Sequence, residues 1–185
     1  MSVETIAENR AALQFLDLRS NDRVLEVGCG HGRILSEAAL IVTEGIAVGV
    51  DVSPDMVRMT GRRLAGKAGS AEVRRTDGVH LPFADCSFDK AFSVHTLYFW
   101  KEPEATLREI TRVLAPRGVL VLVFRDKDDP AAALFPESVY RFYSIGDVRE
   151  LLGTAGLECT KEIRGNSSGS EIVLLKALKV ARDVP

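Results

Sequence analysis

Short apolar runs alternate with stretches of helical periodicity along most of this chain, and few folds accommodate that order. Strands are predicted at residues 23–27, 46–52, 71–75, 88–94, 119–124, 157–163 and 171–178. Helical spacing of apolar residues precedes the first strand at residues 3–18 and recurs between later strands, for example at residues 34–42. Strands that alternate with helices favour a parallel sheet whose connecting helices cover both faces.

The last two predicted strands are separated only by residues 165–170, which are mostly Gly and Ser. A connection this short joins antiparallel strands, whereas parallel neighbours need a longer crossover. The sequence therefore predicts an α/β fold with a doubly wound, mostly parallel seven-stranded sheet, helices on both faces and a C-terminal antiparallel strand.

Capping residues mark where the later helices begin. Ser53 followed by Pro54 is a strong start signal, because serine can cap the first turn and proline lacks an N–H group that this turn leaves unbonded anyway. The helix that they start is predicted to reach about Gly66. Pro103 and Ser144 open two further helices, and residues 115–118 are predicted to form a turn before the fifth strand.

The length of the chain supports one domain. A chain of 185 residues, 46% of them apolar, is long enough to bury a full core and too short for two ordinary domains. We expect a single domain over residues 1–185, with an N-terminal helix at residues 1–19 and the core at residues 20–180.

Charge and apolar content exclude several classes of partner. The chain has 24 basic and 26 acidic residues, so its overall charge gives no reason to expect nucleic acid or an anionic membrane. The apolar run at residues 119–124 is far shorter than the roughly 18 residues that a membrane-spanning helix needs. Because the amino terminus shows no apolar leader, we expect a cytoplasmic protein.

Cysteine and histidine positions give no metal-binding pattern. The three cysteines, at positions 29, 86 and 159, lie far apart and show no Cys-x-x-Cys spacing. This spacing argues against a disulfide framework and against a zinc cluster, and the three histidines add no ligand pattern. No metal site is predicted.

A glycine-rich loop follows the first predicted strand. Residues 24–32 read VLEVGCGHG, and Asp51 follows the second strand, 21 residues beyond Gly30. Glycines let the chain turn tightly and approach a ligand closely, and an acidic residue after the second strand can accept both hydroxyls of a ribose. Because ligands of open α/β sheets bind at the carboxyl ends of the strands, these residues are expected to share one site.

The position of the third glycine distinguishes two kinds of adenosyl ligand. A dinucleotide fingerprint, Gly-x-Gly-x-x-Gly, uses its third glycine for close packing of the following helix. That position is Arg33 here, and the third glycine of this loop is Gly32 instead. The pattern therefore disfavours a nicotinamide dinucleotide.

Residues 24–32 together with Asp51 resemble the first two motifs of the class I S-adenosylmethionine-dependent methyltransferases. Later stretches are similar to the same family in order and spacing: Thr76-Asp77-Gly78, Leu81-Pro82-Phe83, Ser87-Phe88-Asp89 and residues 112–118, which read RVLAPRG. The resemblance covers roughly residues 20–180 and is strongest for the small methyltransferases with a type 11 domain. Arg117 departs from the pattern, because the family commonly has glycine at this turn position.

The resemblance implies S-adenosyl-L-methionine as cofactor and assigns residues to its methionine end. Glu26 would organise that end, and the loop residues Gly28, Cys29 and Gly30 would lie against it. We interpret Cys29 as a small residue that fits the loop, and a reactive thiol is the less favoured alternative.

The resemblance also assigns residues to the adenosine end of the cofactor. Asp51 would hold the two ribose hydroxyls, and Val52 would cover one face of the adenine. Asp77 would accept a hydrogen bond from the adenine amino group, near the Gly78 backbone. A simpler interpretation of Asp77 is a turn residue, because Asp-Gly is a common turn pair.

Three residues are candidates for catalysis. The resemblance implies that His95, just past the fourth strand, flanks the transferred methyl group, although His95 can also be an ordinary polar residue at a strand end. Tyr98 and Tyr143 each combine a hydroxyl with an apolar ring, which suits the orientation of an acceptor.

Aromatic residues follow the fourth and fifth strands in two groups: Phe92, Tyr98, Phe99 and Trp100, then Phe135, Tyr140, Phe142 and Tyr143. We interpret them as a substrate wall, with core packing as the alternative.

The sequence thus predicts an S-adenosylmethionine-dependent methyltransferase that acts on a small molecule by direct displacement and leaves S-adenosyl-L-homocysteine. The alternative is a protein that binds the cofactor in a regulatory or partner-dependent role, without turnover of its own. A nicotinamide oxidoreductase is a third hypothesis, which Arg33 disfavours. Basic residues between Arg58 and Arg75 are interpreted as a solvated surface more readily than as an anion-binding patch.

Overall fold

A computed structural model describes residues 3–66, 70–167 and 170–181, and its elements follow the predicted alternation. The helices are α1 (Val3–Leu16), α2 (Arg33–Ile41), α3 (Pro54–Leu64), α4 (Pro103–Val113) and α5 (Ile145–Thr154). The strands are β1 (Arg23–Val27), β2 (Ile46–Asp51), β3 (Ala71–Arg75), β4 (Phe88–Val94), β5 (Leu114–Arg125), β6 (Leu157–Ser167) and β7 (Ser170–Lys179). Within these described ranges, no helix is both long and apolar enough to span a membrane.

The strands form one seven-stranded sheet in the order β3-β2-β1-β4-β5-β7-β6. Every pairing is parallel except those of β7, which runs antiparallel to both β5 and β6. The predicted doubly wound sheet with a C-terminal antiparallel strand is therefore confirmed. Because the strand order reverses between β1 and β4, a crevice opens at their carboxyl ends, where ligands of such sheets bind.

Two predicted connections are shorter than expected. Residues 115–118, predicted as a turn before the fifth strand, lie inside β5, because Leu114 already pairs with Phe88 and the next pair joins Val119 to Lys90. The extra residues form a bulge in which Arg117 has a positive φ of 62°. The loop predicted at 165–170 is also shortened, because β6 and β7 pair as far as Ser167 and Ser170, and residues 168–169 lie outside the described ranges.

Apolar side chains fill both faces of the sheet. On one face, α4 and α5 bury Leu107, Ile110 and Leu152 completely or nearly so, and on the other face α1 and α2 bury Leu16 and Leu35. Each such side chain contributes roughly 1.5–3 kcal/mol when fully buried. The helices are thereby fixed against the sheet, which holds its carboxyl edge in a defined shape.

Arg112 at the end of α4 fastens the long loop between β3 and β4. Its guanidinium donates to the carbonyl oxygens of Leu81 (3.0 Å) and Phe83 (2.9 Å) and to the carboxylates of Glu109 and Asp85 (both 2.7 Å). The planar fork of arginine serves several acceptors at once, which a lysine ammonium cannot do with the same geometry. Hydrogen bonding to Arg112 also holds the pKa of Glu109 below its ordinary value.

We expect Arg112→Lys to lower the free energy of unfolding by about 1–3 kcal/mol, because two partly buried carbonyl oxygens of the loop lose a charged donor. Arg108→Lys is the matched control on the same helix, since Arg108 makes an exposed pair with Glu104 and the change should cost less than about 0.5 kcal/mol. Urea unfolding measures both values. Equal losses in the two variants would contradict the role given to Arg112.

Candidate functional site

Two cavities meet at the glycine loop on the carboxyl edge of the sheet. The first has a volume of about 340 Å³ and includes Gly28, Asp51, Val52, Asp77 and Gly78 in its wall. The second has a volume of about 260 Å³, and its wall includes Asn9, Glu26, Gly28, Cys29, Gly30 and His95. Because Gly28 belongs to both walls, the loop lies between the two cavities. The structure thus brings together every predicted cofactor-binding residue around one loop.

The glycine loop requires its glycines for two different reasons. Gly28 has a φ of +79°, and a Cβ atom there would lie 2.4 Å from the side chain of Thr96. Gly30 also has a positive φ, of +53°, but a Cβ there would meet no atom within 4 Å. Gly28 therefore permits close packing inside the protein, whereas Gly30 leaves open space beside the loop.

Hydrogen bonds from β2 and α3 fix the loop in this shape. The N–H groups of Gly28 and Cys29 both donate to the Val50 carbonyl oxygen, at 2.8 and 3.0 Å. The hydroxyl of Thr60, which is fully buried on α3, donates to the Gly30 carbonyl oxygen at 2.7 Å. The loop is consequently preorganised by the protein itself.

Asp51 joins the glycine loop to the start of α3. Its Oδ2 accepts from the Gly30 N–H at 2.8 Å and its Oδ1 accepts from the Ser53 N–H at 2.9 Å. The two oxygens of a carboxylate offer about four acceptor positions, so each can accept a further hydrogen bond from a ligand hydroxyl. Ser53 also caps α3, as predicted, by accepting from the Met56 N–H at 3.4 Å.

Glu26 is a buried acid at the end of β1. It is 3% exposed, and its Oε2 has no hydrogen-bond partner. Burial raises the pKa of this carboxyl well above its ordinary value, while a backbone hydrogen bond from Leu35 acts in the opposite direction. An unpaired carboxyl oxygen in such a place is suited to a donor group on a ligand.

Cys29 lies beside Glu26 and is also buried. Burial raises the pKa of its thiol strongly, and the charges of Glu26 and Asp51 act in the same direction. The thiolate, which is the reactive form of cysteine, is therefore disfavoured. The environment agrees with the interpretation of Cys29 as a small loop residue.

The remaining predicted adenosine-binding residues line the first cavity. The Oδ1 atom of Asp77 accepts from the N–H groups of Val79 (3.0 Å) and His80 (3.3 Å), so Asp77 does stabilise a turn. Gly78 in that turn has a φ of +83°. Val52 is 63% exposed at the mouth of the cavity, which leaves its side chain available for a flat ligand.

His95 belongs to a network that the sequence did not reveal. Its Nε2 lies 2.6 Å from a carboxylate oxygen of Glu8 on α1, and its Nδ1 lies 3.0 Å from the Tyr98 hydroxyl. The Arg125 N–H donates to that same hydroxyl, so the Tyr98 oxygen links the end of β5 to the imidazole of His95.

The two predicted aromatic groups form one cluster, with exceptions. Ring centroids lie 4.7 Å apart for Tyr98 and Phe142 and 4.9 Å apart for Phe99 and Tyr140. Phe92 is fully buried in the core and belongs to no wall. Trp100 does not belong to this cluster and lies in the wall of the 340 Å³ cavity.

Tyr143 is not brought to His95 and Tyr98. It lines a separate cavity of about 660 Å³ between α4 and α5, where Arg141 stacks over its ring at 5.2 Å. Its side chain is buried, its hydroxyl has no hydrogen-bond partner, and burial raises its pKa. The three candidate catalytic residues thus divide into a bonded pair, His95 and Tyr98, and a member, Tyr143, that lines a different cavity.

Sequence reasoning missed Glu8, Asn9 and Thr96. Glu8 and Asn9 are polar residues of α1 that are buried at the site, and Thr96 packs under Gly28. Their residue types carry no signal of their own. A buried position is decided by how α1 docks on the sheet, which only the tertiary structure shows.

Comparison with known proteins shows which family the chain resembles. Residues 25–122 match the family described as "Methyltransferase domain". The O-methyltransferase resE of Aspergillus sclerotiorum is 30% identical over 152 residues, which are 80% of this chain and 56% of that protein. The chain spans about half the length of the curated relatives that it matches.

Solved structures share the fold at low sequence identity. The Haloferax volcanii protein solved in complex with the Trm112 methyltransferase activator gives a TM-score of 0.84 at 20% identity, over 95% of this chain and 90% of that chain. Magnesium protoporphyrin IX methyltransferase (ChlM) from Synechocystis PCC 6803, solved with bound SAH, gives a TM-score of 0.78 at 19% identity, over 96% and 84%. The fold is thus the Rossmann-like fold of methyltransferases. With the family match over more than half of its length, this chain belongs to the methyltransferase domain family.

We expect Gly28→Ala to destabilise the protein by roughly 2–5 kcal/mol, because the added methyl group combines a left-handed backbone with a collision against Thr96. Gly30→Ala should cost only about 1–2 kcal/mol, since the backbone is strained but the surrounding space is open. The two variants act as controls for each other in urea unfolding. A larger loss at Gly30 would show that the loop is packed differently.

Proposed function

We propose that this protein is an S-adenosyl-L-methionine-dependent methyltransferase whose acceptor is a small molecule with a partly apolar body. The observation that carries the proposal is the glycine loop between two cavities, with the Asp51 carboxylate in one wall and the buried Glu26 carboxyl in the other. A ligand with adenosine at one end and an amino-acid group at the other matches this arrangement, because its ribose hydroxyls can bond a carboxylate such as that of Asp51.

The residues present fit the cofactor in both cavities. Asp51 would accept the ribose hydroxyls, while Val52, Asp77 and Gly78 would surround the adenine in the 340 Å³ cavity. The unpaired Oε2 of Glu26 is available to a donor on the methionine end. Gly28, Cys29 and Gly30 would form the wall between the two ends, and the open space beside Gly30 leaves room for a ligand.

When bound, the cofactor supplies a methyl group on a positively charged sulfur, which a nucleophile can displace directly. The protein's task in such a reaction is to align the acceptor and to exclude water, and no protein nucleophile is needed. His95 lines the cavity beside Glu26, so it is the residue best placed to contact the acceptor near the methyl group. Tyr98 and Glu8 hold its imidazole from two sides.

The acceptor class is proposed from the aromatic cluster. Phe99 is half exposed in the wall of the 340 Å³ cavity, and its ring contacts that of Tyr140, so the cluster offers an apolar surface next to that cavity. Such a wall suits a ring or chain that carries one polar reacting group. Tyr143 stays a candidate for a second contact with a longer acceptor. The alternative to the proposed function is a protein that binds the cofactor in a regulatory or partner-dependent role, without turnover of its own.

We expect titration calorimetry to show micromolar-range binding of S-adenosyl-L-methionine and S-adenosyl-L-homocysteine, and no comparable binding of NAD. Asp51→Ala should weaken the binding of both adenosyl compounds by about 10- to 100-fold, since a hydrogen bond to a charged group contributes about 1.5–3 kcal/mol. Asp77→Ala is expected to have a smaller effect, because one donor of the ligand is involved.

Unfolding curves of both variants serve as the control, because Asp51 also bonds the loop backbone. Wild-type affinity in a folded Asp51→Ala variant would remove the ribose assignment. Tighter binding of NAD than of the methyl donor would exclude the proposed function.

Once an acceptor is found by methyl-transfer assays on metabolite mixtures, we expect His95→Ala to lower turnover by at least about 10-fold while cofactor affinity stays within a few-fold of wild type. Tyr98→Phe should act in the same direction, because it removes the hydroxyl that bonds His95 Nδ1. Tyr143→Phe tests the separate cavity. Unchanged turnover in all three variants would place the acceptor elsewhere, and turnover that appears only with an added partner protein would favour the alternative role.

A further inference from the structure

The cavity of about 660 Å³ between α4 and α5 has a buried hydroxyl without a partner in its wall. The side chain that carries it, Tyr143, is 6% exposed, and its hydroxyl oxygen forms no hydrogen bond with any described residue. Burial raises the pKa of this phenol, so the hydroxyl stays protonated at neutral pH and is able to donate. Because buried donors are rarely left without acceptors in folded proteins, this hydroxyl indicates a bound group that accepts from it.

The N-terminus of α4 forms part of the same wall and has no side-chain cap. Glu102 precedes the helix, and its side chain makes no capping hydrogen bond. The first helical bond runs from the Thr106 N–H to the Glu102 carbonyl oxygen at 2.9 Å, so the N–H groups of Glu104 and Ala105 lie before it. Both of these residues line the cavity. The early N–H groups and the positive end of the helix dipole favour an anion at this place.

Two basic side chains of the wall add positive charge. Among the described residues, neither Lys127 nor Arg141 forms a salt bridge, and the Arg141 guanidinium lies 5.2 Å from the centre of the Tyr143 ring. The Arg141 N–H donates to the Tyr98 carbonyl oxygen at 3.1 Å, and the Lys127 N–H donates to the Tyr143 carbonyl oxygen at 3.0 Å. Backbone bonds thus hold both residues beside the hydroxyl, where cationic donors suit an anionic oxygen.

Acidic residues of the same wall limit the charge that a ligand can carry. Glu104 pairs with Arg108 at 3.2 Å, and the carboxylate of Asp147 is engaged in the capping box of α5. Glu102 and Glu150 also lie in the wall, but both are exposed to solvent, which screens their charges. This negative charge favours a ligand with one charge over a doubly charged phosphate ester.

We propose that this cavity binds a small organic acid with an apolar body, whose carboxylate accepts hydrogen bonds from Tyr143 and from the first turn of α4. The Arg141 and Lys127 side chains supply positive charge to such a group. Phe142 and Leu151 in the same wall give the apolar body a surface on which to pack. The inference goes beyond the proposed function and does not depend on it, because no adenosyl ligand takes part in the binding.

Three compounds of similar size and different charge test the cavity in NMR titrations of the protein without an adenosyl ligand. 3-Phenylpropionate carries the carboxylate, 3-phenylpropanamide is its neutral counterpart, and 3-phenylpropylamine is a cation. Tyr143→Phe removes the hydroxyl and keeps the ring, and Arg141→Gln removes the positive charge. Arg149→Gln is the matched control, because Arg149 is exposed on α5, pairs with Glu162 and does not line the cavity.

We expect 3-phenylpropionate to bind the wild-type protein at least about 10-fold more tightly than the amide or the amine, and to shift the backbone amide signals of Glu104 and Ala105. Tyr143→Phe and Arg141→Gln should each weaken this binding by about 5-fold or more, because a hydrogen bond to a charged group is lost. Arg149→Gln should match wild type. In urea unfolding without a ligand, Tyr143→Phe should be as stable as wild type or more stable, since its hydroxyl bonds nothing in the protein.

The acid is either a group on the methyl acceptor or a separate ligand, and kinetics distinguish these sources once an acceptor is known. Glu102 lies in the walls of both this cavity and the 340 Å³ cavity, so the two cavities are neighbours. Inhibition of methyl transfer by 3-phenylpropionate that added acceptor reverses would show that the acid group belongs to the acceptor. Transfer that the compound leaves unchanged, or changes in a way that added acceptor does not reverse, would show a separate ligand.

Several results would overturn the inference. Equal binding of the acid and the amide would show that the charge is not recognised, and tighter binding of the amine would show that the acidic residues dominate the wall. Unchanged affinity for 3-phenylpropionate in both Tyr143→Phe and Arg141→Gln, or an equal loss in Arg149→Gln, would place the acid elsewhere. If 3-phenylpropionate shifted no signal of Glu104 or Ala105, the cavity would be filled by water alone.

Discussion

The carboxylate of Asp51 holds the carboxyl edge of the sheet together. It accepts from the Gly30 N–H and from the Ser53 N–H, so one side chain at the end of β2 ties the loop after β1 to the start of α3. Thr60 then closes the arrangement by donating to the Gly30 carbonyl oxygen. Hydrogen bonds to a charged acceptor are stronger than neutral ones, so the loop is shaped before any ligand arrives. Both cavities depend on this shape, because Gly28 lies in both walls.

The helix α1 completes the site from the other side of the crevice. Its apolar residues are buried against the sheet, and its polar residues Glu8 and Asn9 are buried where β4 ends. The Glu8 carboxylate orients His95, whose backbone has a positive φ of 55°, an uncommon conformation for a residue with a side chain. The His95 N–H donates to the Val123 carbonyl oxygen at 2.8 Å, which helps to hold that conformation. Backbone strain that the surroundings support in this way is typical of functional positions.

The aromatic residues divide between packing and exposure. Tyr98 is buried, and burial raises the pKa of its phenol strongly, so its hydroxyl stays protonated where it bonds His95 Nδ1. Phe99, its neighbour in sequence, is half exposed beside the same network. This pair shows how the short 3₁₀ helix Leu97–Phe99 serves the site: one ring supports the imidazole from inside, and the next ring faces outward.

The sequence by itself determined the strands, their order of connection and the glycine-rich loop after β1. These features follow from local patterns: apolar runs, capping residues such as Ser53, and glycines that set backbone conformation. It also identified Asp51, since a residue at the end of a parallel strand must lie at the carboxyl edge. Only the tertiary structure decided the partners of His95 and the burial of Asn9. Glu8 and His95 are 87 residues apart, and their contact depends on how α1 packs on the sheet. The same reason separates Tyr143 from Tyr98, because the direction in which a side chain leaves a long loop is set by packing and not by its neighbours in sequence.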